Sequence, residues 1–141
     1  MENRKLLNGL LKVLPYAAVI LLAVLARILP HPPNFAPIGG LALFSGYFLR
    51  NRWAWLIVIS TMVLSDLYLG FHSTVLYVYV SFIIISLFGS VLKNSRFRTL
   101  FAASLLSSVI FFLITNFGVW AAENLYEKTG YGLIQSYVMG I

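Results

Sequence analysis

Apolar residues run along this chain in long blocks, and short polar segments separate the blocks. The blocks cover residues 9–29, 37–49, 53–70, 75–92 and 100–122, and another begins near Leu133. A helix that crosses a bilayer needs about 20 apolar residues, so the first, third, fourth and fifth blocks predict membrane-spanning helices. Helices suit lipid because they satisfy every backbone N–H and C=O within the segment. The pattern predicts an all-α fold, a polytopic membrane bundle of about six transmembrane helices.

Two of the blocks are too short to cross a bilayer by themselves. Ile38–Leu49 follows a proline-rich stretch and carries Gly39-Gly40. We therefore expect the second helix to start below the membrane surface, with its leading loop folded inward against protein or a watery cavity. The last block, Leu133–Ile141, covers about 13 Å at helical rise. We expect the sixth helix to be incomplete and the chain to be cut short.

Composition supports lipid as the solvent for much of this chain. It is 60% hydrophobic and 10% charged, whereas an ordinary soluble domain is roughly 25% charged. So few charges would not cover a water-facing surface. The chain has no cysteine, which excludes disulfides, iron–sulfur clusters and thiolate metal sites.

The basic residues predict the orientation of the helices. Eight of the ten Lys and Arg residues form three clusters, at 4–12, 50–52 and 93–98, and Arg27 and Lys128 lie elsewhere. The three clusters fall on one side of the predicted bundle, and by the positive-inside rule that side and the N-terminus are cytoplasmic. The net charge of +6 is thus a topology signal, and no basic domain points to nucleic acid as a partner. Residues 1–141 form one integral membrane domain in this interpretation.

The N-terminus shares one feature with a secretory signal peptide. Three basic residues precede the apolar stretch Val13–Ala26, which is the order that such a signal shows. The stretch ends in Arg27-Ile28-Leu29-Pro30 without a small-residue cleavage site, and more apolar blocks follow. We expect an uncleaved first helix.

The first outward connection is stiffened by proline. Between Leu29 and Gly40 lie four of the five prolines of the chain, and each fixes φ and biases the preceding residue to extended backbone. This connection is either a rigid turn or a preformed rim that holds His31 and Asn34.

Asp66 lies about one turn from the outer end of the third helix. A carboxylate there opposes the helix dipole, and in an apolar layer it is costly unless paired. Arg27, at the same predicted depth, is the obvious partner. Three interpretations stay open: a structural Arg27–Asp66 pair, a ligand contact, or exposure to solvent.

A third polar group is predicted inside the outer end of the fifth helix. Asn116 lies roughly 9 Å below that end, and a buried amide needs partners for its donors and its acceptor, so it should face the bundle. Trp120 is either an interfacial anchor or a stacking platform. Gly118 permits close helix approach or exposes backbone to a ligand. With Asn34 and Asp66, these groups indicate a pocket with apolar walls and a few directed polar groups.

Enzyme chemistry has little support in the sequence. His31, His72 and Asp66 lack the spacing of a metal site, and there is no nucleophile elbow or phosphate-binding loop. We expect no enzyme, no metal and no cofactor. The pairs Ala103–Ser107, Ser104–Ser108 and Ser86–Ser90 are small residues at i,i+4 that favour close helix packing, within the bundle or onto a second membrane subunit.

Three stretches resemble a widespread family of small, uncharacterised bacterial membrane proteins. They read His31-Pro-Pro-Asn34-Phe-Ala-Pro37-Ile-Gly39, Ser65-Asp66 with Leu69-Gly-Phe-His72, and Thr115-Asn-Phe-Gly-Val-Trp120. That family is similar in architecture to the substrate-binding S components of energy-coupling-factor (ECF) transporters. The resemblance implies six helices, a cytoplasmic N-terminus, a pocket capped by the connections after helices 1, 3 and 5, and a membrane energising subunit with ATPases as partner.

The leading hypothesis from the sequence is a substrate-capture subunit of the bacterial inner membrane. It binds a small, vitamin-like molecule at the outer face for uptake. Its expected polar contacts are Asn34, Asp66, His72 and Asn116, and its expected apolar walls are Phe71 and Trp120. The alternative is a structural or assembly membrane protein whose intramembrane polar residues only lock helices together.

Overall fold

The computed structural model describes residues 2–29, 37–49, 54–92 and 95–141 of the chain. Within these ranges the fold consists of six α-helices and no β-strand. They are α1 (Glu2–Ile28), α2 (Pro37–Leu49), α3 (Trp55–Leu69), α4 (Val75–Val91), α5 (Phe97–Ala122) and α6 (Gly130–Met139). The predicted all-α class is confirmed, and each predicted apolar block overlaps one of these helices.

Two helix ends are set by local backbone conformation and capping hydrogen bonds, and not by the end of an apolar block. Gly70 ends α3 with a φ of 92°, a backbone conformation that glycine adopts without a Cβ penalty. Its N–H donates to the carbonyl of Asp66 at 2.8 Å. Thr129 caps α6, and its Oγ1 accepts from the N–H of Gly132 at 3.2 Å. This cap explains why α6 begins three residues before Leu133.

Helix α2 lies at the centre of the packing. It contacts α1, α3, α4 and α5, and its most extensive contact is with α4. The buried apolar core consists of Ile38, Ala42 and Leu43 on α2, Val58 and Met62 on α3, Phe82 and Ile85 on α4, and Ala103 on α5. A helix of only 13 residues is thus held mainly by the helices around it.

Two glycines allow the backbones of α2 and α4 to approach closely. A Cβ built on Gly46 would overlap the carbonyl group of Ser86, and one built on Gly89 would overlap the carbonyl oxygen of Leu43. Such small-residue contacts are the usual means by which membrane helices pack, because van der Waals contact drives their association. The crossing of α2 and α4 depends on both glycines.

Helix lengths give one clear membrane-crossing candidate among the described residues. Helix α5 has 26 residues and is apolar enough to span a bilayer, while Leu14–Ile28, Ile38–Leu49, Trp55–Leu69 and Val75–Val91 are shorter apolar segments. At 1.5 Å per residue, α5 is about 39 Å long.

Large apolar side chains remain exposed on several helices. On α1 they are Leu7, Leu11, Leu14, Leu21, Leu22 and Leu25, and on α5 they are Phe97, Phe101, Leu105, Val109 and Leu113. Single exposed apolar residues are normal on soluble proteins, but contiguous patches of this kind mark contact with lipid or with another protein.

Candidate functional site

A buried ion pair joins α1 to α3. Asp66 is 1% exposed, and its Oδ1 lies 2.7 Å from Nη1 of Arg27. The same guanidinium nitrogen donates to Ser65 Oγ at 2.6 Å and reaches the carbonyl of Met62 at 3.4 Å. The second carboxylate oxygen of Asp66 accepts a hydrogen bond of 2.7 Å from the hydroxyl of Tyr79 on α4. The charge of Asp66 is therefore compensated by its neighbours.

This cluster links three helices at corresponding ends. Arg27 lies one residue before the end of α1, Asp66 three before the end of α3, and Tyr79 four after the start of α4. For these three side chains to meet, α4 must run antiparallel to α1 and α3. The predicted topology has the same directions. Solvent exposure of Asp66 is excluded by its burial, and both of its oxygens already have protein partners.

A separate cavity of about 580 Å³ lies between α2, α4 and α5. Its lining consists of Gly39, Gly40 and Leu43 on α2, Phe82 and Ile85 on α4, Ser104, Ser107, Ser108, Phe111, Phe112, Thr115 and Asn116 on α5, and Gly140. Small-molecule sites are typically clefts of this size, with mostly apolar walls and a few directed polar groups.

Helix α5 supplies polar side chains to this cavity on both sides of Phe111 and Phe112. Ser104, Ser108 and Thr115 recur at helical spacing, so they lie on one side of α5 over about 16 Å. The hydroxyls of Ser107, Ser108 and Thr115 each donate back to a carbonyl of their own helix, at 2.8, 3.2 and 2.8 Å. The lone pairs of these hydroxyl oxygens take no part in the hydrogen bonds to the helix carbonyls.

Asn116 forms one end of the cavity. Its Nδ2 donates to the carbonyl of Phe112 at 2.9 Å. Gly140 lies close against the amide, and an added Cβ there would come within 2.7 Å of Cγ of Asn116. The prediction that Asn116 faces protein agrees with these contacts.

Glycines keep the opposite wall open. A Cβ built on Gly39 or on Gly40 would meet no atom within 4 Å, although both residues line the cavity. Beside them, the rings of Phe82 and Phe111 are stacked with centroids 5.0 Å apart and an interplanar angle of 28°. The cavity is thus an open space with aromatic side chains in its wall.

The other predicted contact residues lie outside this lining. His72 is exposed and its Nδ1 lies 3.0 Å from Thr74 Oγ1, and Phe71 is exposed beside it. Trp120 donates from Nε1 to the carbonyl of Glu127 at 2.9 Å. Asn34 and His31 lie outside the described residues, within the stretch 30–36 of the proline-rich connection. In the part of the chain that is described, Asn116 is the one predicted contact residue that lines the cavity.

The α5–α6 connection, residues 123–129, folds onto the end of α5. Lys128 donates to the carbonyls of Trp120 and Glu123 and lies 5.8 Å from the centre of the Trp120 ring. A cation at this position complements the unpaired carbonyls of a helix C-terminus. Ser73 Oγ, in the α3–α4 connection, donates to Glu123 Oε1 at 2.7 Å. The two connections are therefore joined at the end where the sequence places the outer face.

Most of the cavity is not evident from the sequence. Ser104 with Ser108, and Ser107 with Ala103, have the i,i+4 spacing of helix-packing pairs, and only the cavity that Ser104, Ser107 and Ser108 share with Gly39 and Gly40 shows that space is left in front of them. Metal binding has no support from geometry, because the described residues contain no group of three or more His, Asp or Glu side chains placed to hold an ion.

Residues 9–141 match the family of unknown function DUF6580, and the chain belongs to this family. The match covers nearly all of the chain, including all the residues of the cavity and of the ion-pair cluster. No curated protein and no solved structure gives a significant match.

Proposed function

We propose that this member of the DUF6580 family is a polytopic membrane protein that captures a small molecule in the cavity between α2, α4 and α5. The cavity itself is the observation that carries the proposal: about 580 Å³ lies within the range of small-molecule sites. The captured molecule is delivered for uptake into the cell. No catalytic step is part of the proposal.

Insertion of the whole bundle in a membrane is supported by surface chemistry. The helices expose long rows of leucine and phenylalanine side chains, and the chain is 60% hydrophobic. In water, an apolar surface of this extent would drive aggregation. In a bilayer, the same surface faces hydrocarbon, and the shorter helices α3 and α4 are accommodated by local thinning of the bilayer or by contact with neighbouring protein.

Capture from the outer side is supported by the charge distribution. With the three basic clusters in the cytoplasm, the first turn of α2 and the C-terminal half of α5 lie toward the exterior. Gly39, Gly40, Thr115 and Asn116 line the cavity from these two segments. The Arg27–Asp66–Tyr79 cluster ties α1, α3 and α4 together at the same end, and so holds the outer part of the bundle in register.

The proposed role in the cell rests on the resemblance in architecture, read from the sequence, to ECF S components. Proteins of that kind bind a vitamin or related compound and work with a membrane energising subunit and its ATPases. We assign this chain the same kind of task in the bacterial plasma membrane, with a small, vitamin-like ligand. The uncharged cavity lining is compatible with that ligand class.

Filling the cavity is the direct test of this function. A Cβ at Gly39 would meet no atom within 4 Å, so Gly39→Leu adds a side chain in the cavity, and Gly9→Leu on α1 is a matched control because its Cβ also meets no atom within 4 Å. Purified protein in nanodiscs is screened against vitamins and their precursors by thermal shift. We expect a saturable shift with at least one compound, retained in Gly9→Leu and lost in Gly39→Leu. If no compound gives a shift that Gly39→Leu removes, the capture function is wrong.

A second candidate function is favoured by the ion-pair cluster. Both carboxylate oxygens of Asp66 lie against protein side chains, and the cluster connects three helices, as expected of a structural or assembly protein. In that case Asp66→Asn lowers the stability of the folded protein, and Gly39→Leu changes neither small-molecule binding nor the growth of cells that carry it. Loss of uptake in a stable Gly39→Leu protein would exclude this alternative.

A further inference from the structure

We propose that the ligand of this cavity is an uncharged, ring-bearing molecule that mainly donates hydrogen bonds and presents a carboxamide-like edge to Asn116. This inference rests on the proposed function, because it names the class of molecule that the same cavity takes. Three properties of the lining carry it: its charge, its hydrogen-bonding capacity and its aromatic wall.

The lining provides no counter-charge for an ion. Among the described residues that line the cavity, none is Asp, Glu, Lys, Arg or His. The charges of Arg27 and Asp66 are satisfied by each other at 2.7 Å. An ionised ligand would lose its hydration on entering such a site without gaining a partner. An uncharged ligand avoids this loss.

The hydroxyls of the lining offer acceptors more than donors. A serine or threonine hydroxyl has one proton and two lone pairs. Ser107, Ser108 and Thr115 each give that proton to a carbonyl of α5. What remains for a ligand at these three positions is lone pairs, and lone pairs are complementary to ligand N–H and O–H groups.

Asn116 adds a mixed edge at the end of the cavity. Its Nδ2 carries two hydrogens, and one is used by the carbonyl of Phe112 at 2.9 Å. Oδ1 accepts no hydrogen bond from the described residues, although Gly140 lies against it on one side. The second N–H and the open lone pair of Oδ1 are the groups left for a ligand, and they suit one that accepts and donates side by side. A primary carboxamide has this geometry.

An aromatic wall lies between the polar groups. Phe82 and Phe111 are stacked on each other and Phe82 is 4% exposed, so the ring surface open to a ligand is mainly that of Phe111 and Phe112 on α5. Flat rings pack favourably against such a wall, in offset or edge-to-face geometry. The hydroxyls of Ser107 and Ser108 lie toward one end and Asn116 toward the other, so an elongated ring system with polar groups at both ends suits the site.

Three matched probes test this class of ligand. They are 6-hydroxynaphthalene-2-carboxamide, its N,N-dimethylamide and the corresponding carboxylate, which share a ring and differ in donors and charge. Binding is measured by equilibrium dialysis against protein in nanodiscs, with empty nanodiscs subtracted. Each probe is measured on the unchanged chain, on Gly39→Leu and on Gly9→Leu. Loss of one or two net hydrogen bonds weakens binding by about tenfold.

We expect the carboxamide to bind with a Kd about tenfold lower than the other two probes, and to lose this binding in Gly39→Leu but not in Gly9→Leu. Asn116→Leu should make the carboxamide and the dimethylamide equal. If the carboxylate binds as well as the carboxamide, and Gly39→Leu abolishes both, the ligand class is wrong while the cavity still binds. If no probe shows binding that Gly39→Leu removes, the inference is overturned, and the vitamin screen then decides the proposed function separately.

Discussion

The guanidinium of Arg27 lies 2.7 Å from the carboxylate of Asp66, with the acid 1% exposed and the base 19% exposed. In a low-dielectric environment, a pair of this kind is retained only when both charges are compensated. Ser65 and Tyr79 complete the compensation from α3 and α4. The pair is therefore the centre of a polar cluster that fixes three helices relative to one another.

Removal of either partner of the ion pair should destabilise the protein. Asp66→Ala leaves the partly buried Arg27 guanidinium without a counter-charge, and we expect a loss of about 3 kcal/mol in the free energy of unfolding. Arg27→Ala should have a similar effect, and the double variant should lose much less than the sum. Unfolding titrations with sodium dodecyl sulfate in mixed micelles measure all three. Additive losses would show that the two side chains are not coupled.

The hydroxyl of Tyr79 should contribute to the same cluster. Tyr79→Phe removes the donor to Oδ2 of Asp66 while the ring stays in place, and a hydrogen bond to a charged group is worth about 1.5–3 kcal/mol. Tyr68→Phe is the control, because Tyr68 is 75% exposed and should lose little. Equal unfolding free energies for the two variants would contradict the hydrogen bond.

Glycine at the α2–α4 crossing should be irreplaceable. Gly46→Ala places a Cβ into the backbone of Ser86, so the helices must separate and several core contacts are lost. We expect a drop of more than about 2 kcal/mol in the free energy of unfolding. Gly39→Ala, on the same helix, meets no atom within 4 Å and should be neutral or stabilising by up to about 1 kcal/mol. Thermal unfolding in detergent compares them, and equal midpoints would refute the close crossing.

The orientation of the bundle can be read by labelling single cysteines, because the chain has none of its own. Asn124→Cys lies in the α5–α6 connection and Ser95→Cys in the α4–α5 connection. In intact cells, a membrane-impermeant maleimide should label Asn124→Cys and not Ser95→Cys. The reverse labelling would put the α2 end of the cavity on the cytoplasmic side and exclude capture from outside.

The apolar blocks and the free-energy cost of burying a charged side chain predicted a large part of the fold. The blocks gave the positions of the helices because a continuous apolar run longer than a strand has few other structures available. A buried carboxylate is unfavourable without a cationic partner, which is why Asp66 predicted a contact with Arg27. The two side chains are in contact. Tyr79 gave no such signal, because the sequence does not show which face of α4 meets Asp66.

The cavity could not be predicted in the same way. Ser104 and Ser108 have the same spacing whether the helix in front of them packs closely or leaves a gap. The gap arises where Gly39 and Gly40 present no side chains toward α5, which is a property of how α2 is placed between α4 and α5. Asn116 was identified because a buried amide is costly whatever faces it, whereas hydroxyls that bond to their own helix are common and give no signal.

The most direct test of the account is the identification of molecules that copurify with the protein. The unchanged chain, Gly39→Leu and Gly9→Leu are expressed in bacterial membranes, extracted into native lipid nanodiscs and purified, and their small molecules are identified by mass spectrometry. We predict that an uncharged compound is enriched with the unchanged chain and Gly9→Leu and is absent from Gly39→Leu. Identical sets of compounds for all three proteins would contradict a binding function for the cavity.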